Sequence, residues 1–513
     1  FVSQAKILAF CAIGEEGPHI YRHGAEAYGE QTAFRYKIKK EIIDKTYNEV
    51  NLDSMAVSRA VEALGMKGKH IAVIGTTSYQ WIITYFGIVN SGSVAVPIDA
   101  QLPAEAVCEL LNRADVEMLV YDELRSDVAG VVREKCPGIR HVVSMQARET
   151  VGDVLSLSRL IAGHAGTYET ELAGGQLCTI LFTSGTTGKS KGVMLSHRNL
   201  TDNAVCLDMR IPAGTVSMTL LPINHVYCLT MDIIKGLYIG MIICINDSIM
   251  HVQRNMKLFK PEIVLLVPLV IESIYGKLKD AGSLIPKKMV AKAAFGGSLR
   301  IICSGGAYLD PDYVDRFREY GITILQGYGM TECSPVISTN LEWENKKGSV
   351  GKLLPNCEAR VVDEEIWVRG SSVMQGYYKM PEQTAETLED GWLKTGDLGY
   401  VDEDNFVYIT GRRKNLIILA NGENVSPEEL ENELSRSELV KEILVREKDK
   451  IIEAEIFPDY EYAKKKHIKD IQGKLQELID GFNKDMPVYK RIYSLIVRET
   501  EFEKTPSKKI KRF

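Results

Sequence analysis

Through the first half of the chain, short apolar runs alternate with segments of helical period. Residues 70–75 (HIAVIG) form a β-branched run ending in glycine, 81–89 reads as a helix, and 93–98 (SVAVPI) as the next strand. Residues 104–113 carry helical periodicity, and 116–121 (VEMLVY) returns to strand. The rhythm resumes with strands at 263–267, 300–303 and 323–326 and helices at 270–279 and 311–320. Strands separated by helices predict a parallel sheet with helices on its faces. From about residue 359 the pattern changes. Segments 359–363 and 366–369 mix apolar and polar positions, which suits antiparallel strands. A charged, turn-rich stretch, 397–414, leads into a compact α+β pattern. It comprises a helix at 427–435, strands near 443–445 and 452–457, and a long helix at about 468–483. The domain boundary is placed at 411–415.

Composition narrows this picture. With 513 residues the chain exceeds one ordinary core, so at least two domains are expected. Hydrophobic residues at 45% and charged residues at 25% match a globular protein. A net charge of −6 supplies no general attraction to nucleic acid, and none is expected as a partner. No apolar run reaches the ~20 residues needed to cross a bilayer. No transmembrane segment is therefore expected, while peripheral contact with a membrane stays open. The ten cysteines show no CxxC spacing, which argues against a zinc knuckle or a redox pair. Buried free thiols in a reducing, cytoplasmic setting are expected instead. The first residues (FVSQAKILAFCAIG) lack the basic start and cleavage site of a secretion signal, and they begin without Met.

The densest chemistry lies at 183–192, TSGTTGKSKG, directly after a strand-like run at 178–182. Gly185, Gly188 and Gly192 permit tight turns that bring backbone N–H groups near an anion. Thr183, Ser184, Thr186 and Thr187 add hydroxyl donors, and Lys189 and Lys191 add positive charge. A Walker A loop would need glycine five residues before Gly188, where Thr183 stands. A solvated linker does not explain hydroxyls and lysines packed behind a buried strand. Phosphate binding is the expectation.

TSGTTGKSKG with the downstream HRNL resembles the adenylate-forming superfamily of acyl- and aryl-CoA synthetases, peptide-synthetase adenylation domains and luciferases. Further matches follow in order along nearly the whole chain: 91–103 (SGSVAVPIDAQLP), 221–225 (LPINH), 304–307 (SGGA) and 326–332 (QGYGMTE). They continue with 395–397 (TGD), 411–412 (GR), 422–424 (GEN) and 504–512 (KTPSKKIKR). The resemblance implies an α/β fold with a large N-terminal domain, 1–411, of parallel-rich sheets with helices and a small antiparallel, barrel-like part. A hinge at 412–415 and a small mobile α+β C-terminal domain, 416–513, complete it. Lys414 sits where the family has its hinge residue.

The resemblance also implies roles. ATP would be held by Thr183, Ser184, Gly185, Thr186, Thr187, Gly188 and Lys191 at the phosphates. Gly306, Ala307 and Tyr308 would form the adenine turn. Gln326, Gly327, Tyr328, Gly329, Met330 and Thr331 would continue that site. Asp397 and Arg412 would meet the ribose. Glu332 would hold Mg2+ through oxygen, with Thr187 beside it. Lys509 fits the catalytic lysine that neutralises charge on the carboxylate and α-phosphate. Gly usually precedes that lysine and Lys508 stands here instead, so the choice between the two stays open. Gly422 and Glu423 would line the thiol path for CoA after rotation of the small domain. His225 is either a residue beside the substrate carboxylate or a core histidine.

Some positions depart from the family pattern. Tyr308 replaces a usual Pro, and Ser190 another. Residues 361–368 (VVDEEIWV) lack a Gly-containing turn, so either the hairpin is unusually tight or residues are missing there. For the substrate, 267–275 (VPLVIESIY) and 327–335 (GYGMTECSP) resemble fatty acyl-CoA synthetases. The apolar stretches 227–231 and 233–242 serve either an acyl tunnel or the core. An aryl acid, or a carrier-protein thiol as acceptor, stays open. So does a catalytically dead nucleotide- or acyl-binding protein on the same fold. The sequence is silent on oligomeric state.

Overall fold

A computed structural model describes residues 20–183, 190–280, 285–419, 423–448, 450–504 and 510–512. The chain divides into two compact units. One runs to Ala359 and includes Val368–Leu393; the other comprises Arg360–Trp367 and the chain from Lys394 onward. The residues read as the hinge lie inside the second unit.

Two large sheets organise the first unit. The first has eight strands, in the order Gly376–Tyr377, Lys191–Ser196, Leu177–Thr183, Val94–Ile98, His70–Ile74, Val116–Tyr121, His141–Ser144 and Val154–Ser156. From Leu177–Thr183 outward to Val154–Ser156 every pairing is parallel, as the strand–helix rhythm predicts. The nine-stranded second sheet has a parallel centre built from Thr323–Gly329, Ile301–Ser304, Ile263–Leu266, Val216–Thr219, Ile242–Ile245 and Thr32–Ile38. Its outermost pairings are antiparallel. Parallel strands are covered on both faces, so they read as continuous apolar runs. Ile71, Ala72, Val73 and Ile74 are accordingly all fully buried.

The covering helices start where the sequence caps them. Ser78 accepts from the backbone N–H of Trp81 to open Tyr79–Asn90, and Thr46 with Glu49 forms a capping box for Tyr47–Ala63. These two helices pack closely because Gly87 has no side chain. A Cβ there would lie 2.4 Å from the Val57 side chain.

The segment 227–242 differs from a plain strand or helix. Cys228–Ile234 forms a π-helical stretch that runs into the short helix Lys235–Tyr238, followed by the strand Ile242–Ile245. Pattern reading has no signature for the wider turn, which often marks functional segments. Asp232 and Lys235 are both buried here. The Lys235 ammonium donates to the carbonyls of Ala204 and Leu207, at 2.9 and 2.7 Å. Burial pushes the Asp232 carboxyl up to about 7, with Ser217 its hydrogen-bond partner at 3.3 Å.

An antiparallel five-stranded half-barrel follows: Cys357–Val362, Glu365–Gly370, Trp392–Val401 and Leu388–Glu389, with Val407–Arg412 beside Trp392–Val401. The division between units falls within three of these strands. The turn at Asp363–Glu364 has two residues, both left-handed, with φ of 49° and 64°. The unusually tight hairpin is therefore the form adopted, and neither residue is Gly. Asp tolerates this conformation locally.

The second unit also holds a three-stranded sheet. Val440–Lys448 pairs antiparallel with Ile451–Pro458, and Ile492–Val497 adds in parallel. Helices Pro427–Leu434 and Ile471–Asp485 bury Leu430, Leu434, Leu475 and Ile479 in the same core as Val445, Ile456 and Ile492. The parallel third strand was not anticipated. The nine cysteines among the described residues are free thiols. No described helix is long and apolar enough to cross a membrane.

Candidate active site

The strand Leu177–Thr183 leads into the phosphate-binding candidate, and Lys191–Ser196 returns antiparallel beside it, pairing Thr183 with Lys191. Ser184, Gly185, Thr186, Thr187, Gly188 and Lys189 lie outside the described residues. The segment thus links two strands of a hairpin, whereas a Walker A loop joins a strand to a helix. Arg113 donates to the Ser190 carbonyl at 2.5 Å, on the returning flank.

The helix His197–Val205 follows, capped by Ser196 and Asn199. Two amides on it bind distant backbone. Asn199 donates to the carbonyls of Ser371 and Val373, at 2.7 and 2.9 Å. Asn203 donates to those of Cys333 and Val336, at 3.2 and 2.7 Å, and accepts from the Val336 N–H. The helix opened by HRNL therefore holds the chain that follows the acidic motif.

Gln326, Gly327, Tyr328 and Gly329 end the strand Thr323–Gly329. Gln326 is buried and donates to the Leu309 carbonyl at 3.2 Å, tying the strand to the turn of Gly306, Ala307 and Tyr308. Gly306 takes φ of +84°, and Ala307 and Tyr308 are exposed beside it. Gly329 abuts backbone: a Cβ there would lie 2.0 Å from the Pro335 carbonyl oxygen. Met330 closes the turn, its N–H donating to that same oxygen at 2.9 Å. Thr331–Cys333 forms a single 3-10 turn that carries Glu332.

Glu332 is buried, and its Oε1 accepts a hydrogen bond from the Tyr377 hydroxyl at 2.8 Å. Burial and the Glu332 carboxylate push the Tyr377 phenol well up, so it remains a donor at all ordinary pH. The Lys191 ammonium sits 4.6 Å from the centre of the same ring. Glu332, Tyr377 and Lys191 are brought together. His225 is exposed, and its carbonyl accepts the Leu229 N–H at the start of the π-helical stretch. That excludes the core-histidine alternative.

In the second unit, Asp397 and Arg412 are register partners on paired strands. Asp397 is 2% exposed, and its carboxylate accepts from the Arg412 Nε at 2.7 Å. Lys414 lies exposed in the turn Arg413–Asn415, and Glu423 is exposed before the strand Asn424–Val425. Gly422 and Lys509 fall outside the described residues. The tail around Lys509 is anchored at both ends. Lys504 pairs with Glu442 and Glu501, at 2.5 and 2.8 Å, and Arg512 with Glu431. Phe502 and Ile510 pack with Leu444 and Phe457.

Two family descriptions match this chain. The AMP-binding enzyme family covers residues 21–378, and its C-terminal domain covers 414–513. The chain belongs to the AMP-binding enzyme family. It is 28% identical over 468 residues to the long-chain-fatty-acid–CoA ligase FadD15 of Mycobacterium bovis, covering 80% of this chain and 77% of the relative. It is 30% identical over 445 residues to a 4-coumarate–CoA ligase-like protein of Oryza sativa subsp. japonica, covering 81% and 77%. Among solved structures, an anthranilate CoA ligase in complex with anthranoyl-AMP shares the fold, with a TM-score of 0.83 at 22% identity over 96% of this chain and 95% of that one.

As an AMP-binding enzyme the chain binds ATP, and the glycines and buried carboxylate of 326–332 fit that role. No group of three or more acidic, His or Cys side chains able to hold a metal occurs among the described residues. Glu332 still fits Mg2+, which takes one or two carboxylates and completes its shell with water and phosphate oxygens. Sequence reading missed Tyr377 and Asn203 as parts of the site. Neither bears a charge or a motif glycine, and only their partners reveal them.

Proposed function

We propose that this AMP-binding enzyme is an acid–thiol ligase that activates a medium- or long-chain fatty acid and transfers it to CoA. One acid oxygen attacks the α-phosphorus of ATP, forming acyl-AMP and releasing pyrophosphate. The CoA sulfur then attacks the acyl carbon, a thioester forms, and AMP leaves with the bonding electrons. The observation that carries the adenylation half is the buried Glu332 carboxylate, held by Tyr377 beside Lys191 of the phosphate strand. Glu332 would hold Mg2+, which supplies charge neutralisation at the phosphates. Asp397 is suited to accept ribose hydroxyls, and Lys509 would offset charge at the reacting oxygens. His225 would stand by the substrate carboxylate, with Gly422 and Glu423 on the thiol path. The fatty substrate is supported by likeness to long-chain ligases over 80% of the chain, and by the buried Leu229, Ile233 and Ile234 of the π-helical stretch. The 4-coumarate ligase-like relative supports an aryl acid as the second reading.

Carboxylate-dependent ATP–pyrophosphate exchange tests this, run with fatty acids of graded length beside aromatic acids. Exchange rising with chain length, followed by thioester formation on adding CoA, is expected. Exchange with aromatic acids alone would replace the substrate class, and silence across the panel would remove the ligase reading.

A further inference from the structure

Tyr377 occupies a position that the phosphate and metal roles leave unexplained. Its hydroxyl spends its hydrogen on Glu332, while the face of its ring carries Lys191. The side chain thus touches two charged groups of opposite sign. Its backbone is fixed from several directions. Gly376 and Tyr377 pair with Met194 and Val193 in the strand that leaves the phosphate segment. The Tyr377 N–H donates to Thr384 Oγ1 at 2.9 Å, and the Tyr378 N–H to the Gly192 carbonyl at 2.7 Å. The Met374 N–H donates to the carbonyl of Glu332 itself, at 2.8 Å. Gly376, at φ of +134°, leaves room for the Thr384 methyl, which a Cβ would meet at 2.7 Å. Such over-determination holds one ring orientation.

A carboxylate that accepts a short, buried hydrogen bond on one oxygen is fixed in rotation and presents its other oxygen in one direction. A lysine over an aromatic face is restrained laterally, yet keeps its N–H groups for other acceptors. We infer that Tyr377 is a positioning residue that aims Glu332 at the metal and Lys191 at the triphosphate, so that metal and nucleotide reinforce each other's binding. The inference rests on the assignment of Glu332 and Lys191 to the nucleotide site, not on which acid is activated. Tyr377 touches no reacting atom and is not a catalytic residue.

Calorimetric titration of ATP into the full chain, in EDTA and in excess Mg2+, separates the two arms. In Tyr377→Phe the ring beneath Lys191 remains and only the hydroxyl is lost. ATP affinity in EDTA is expected to stay within about twofold, while the strengthening by Mg2+ falls about tenfold, in line with loss of a hydrogen bond to a charged group. Tyr377→Leu also removes the ring, so affinity in EDTA falls as well, by roughly three- to fivefold for a partly exposed cation–π contact. Melting temperatures are taken on each protein. An unchanged Mg2+ effect in Tyr377→Phe overturns the inference. So does an equal fall in both buffers, which marks a structural role alone. ATP binding with normal Mg2+ dependence in the parent but no pyrophosphate exchange with any acid would sink the ligase proposal and leave Tyr377 standing. No ATP binding in the parent would sink both.

Discussion

The two glycines of the GYG segment give a matched pair. In Gly329→Ala the new Cβ would lie 2.0 Å from the Pro335 oxygen, 2.8 Å from its carbonyl carbon and 3.0 Å from the Val336 Cα. All three are backbone atoms of the neighbouring strand, so no side chain can swing aside. The oxygen contact is 1.4 Å inside the 3.4 Å at which ordinary contact begins. Relief requires the strands Thr323–Gly329 and Val336–Thr339 to part at their end, where Met330 bonds Pro335. In Gly327→Ala the closest atom, the Ser338 oxygen, is already at 3.4 Å. Forced overpacking costs typically ~1–3 kcal/mol and more where backbone must move. Gly329→Ala is therefore expected near the top of that range, about 3 kcal/mol. At roughly 2 °C per kcal/mol, its melting temperature should fall by about 6 °C, with Gly327→Ala within about 2 °C of the parent. Thermal melts followed by intrinsic fluorescence measure both, and ATP titration of folded Gly329→Ala should show weakened Mg2+ dependence. Equal melting temperatures for the two variants would refute the steric reasoning.

Three further outcomes follow from other sites. Asp397→Asn should raise the apparent KM for ATP at least tenfold, yet cost only about 1–2 kcal/mol of stability, because the Arg412 side chain left behind is 43% exposed; steady-state kinetics and melts separate the two. Burial holds Asp232 protonated up to about pH 7 in the fold, whereas the unfolded chain releases that proton near 4. The unfolded state then binds fewer protons between those values, so this group lowers stability as pH rises from about 4 to 7, by on the order of 4 kcal/mol. Asp232→Asn should be more stable than the parent at pH 8, with the gap closing toward pH 4; parallel stability–pH curves would contradict this. The neighbouring thiols Cys244 and Cys303 are pushed up to about 12 and do not contribute in that window. Lys509→Ala should abolish acyl-AMP formation but spare thioester formation from supplied acyl-AMP, and equal loss of both half-reactions would assign the lysine elsewhere.

Elements with clean period were legible from the chain. Ala104–Arg113 and Val116–Tyr121 form where the pattern places them, because apolar burial and strand or helix period agree there. The π-helical Cys228–Ile234 was not legible, since its residues are almost all buried and leave no periodic stripe to read. Ile492–Val497 was missed for a related reason: only Ile492 is fully buried, and the rest of the strand is partly exposed. In the candidate site, charged and glycine-rich residues announced themselves. Tyr377 did not, because its importance lies in a partner 45 residues away. The pairing of Lys504 with Glu442 and of Arg512 with Glu431 was not legible either, because those partners lie far off in the chain.

The amides of Asn199 and Asn203 have a consequence for how the protein is made. Each closes a very long loop: 133 residues from Asn203 to Val336 and 174 from Asn199 to Val373. Contacts of such sequence separation form late, after the entropy of closing them has been met. On the ribosome, the strands of the first sheet are complete through Ser196 long before residues 333–336 and 371–377 exist. Until Tyr377 emerges, the phosphate strand lacks its edge partner and Glu332 lacks its donor. A fragment ending before that point should thus hold a folded sheet and no assembled nucleotide site. Nucleotide binding then becomes a late checkpoint on nascent chains, one that only a chain synthesised past Tyr377 can pass.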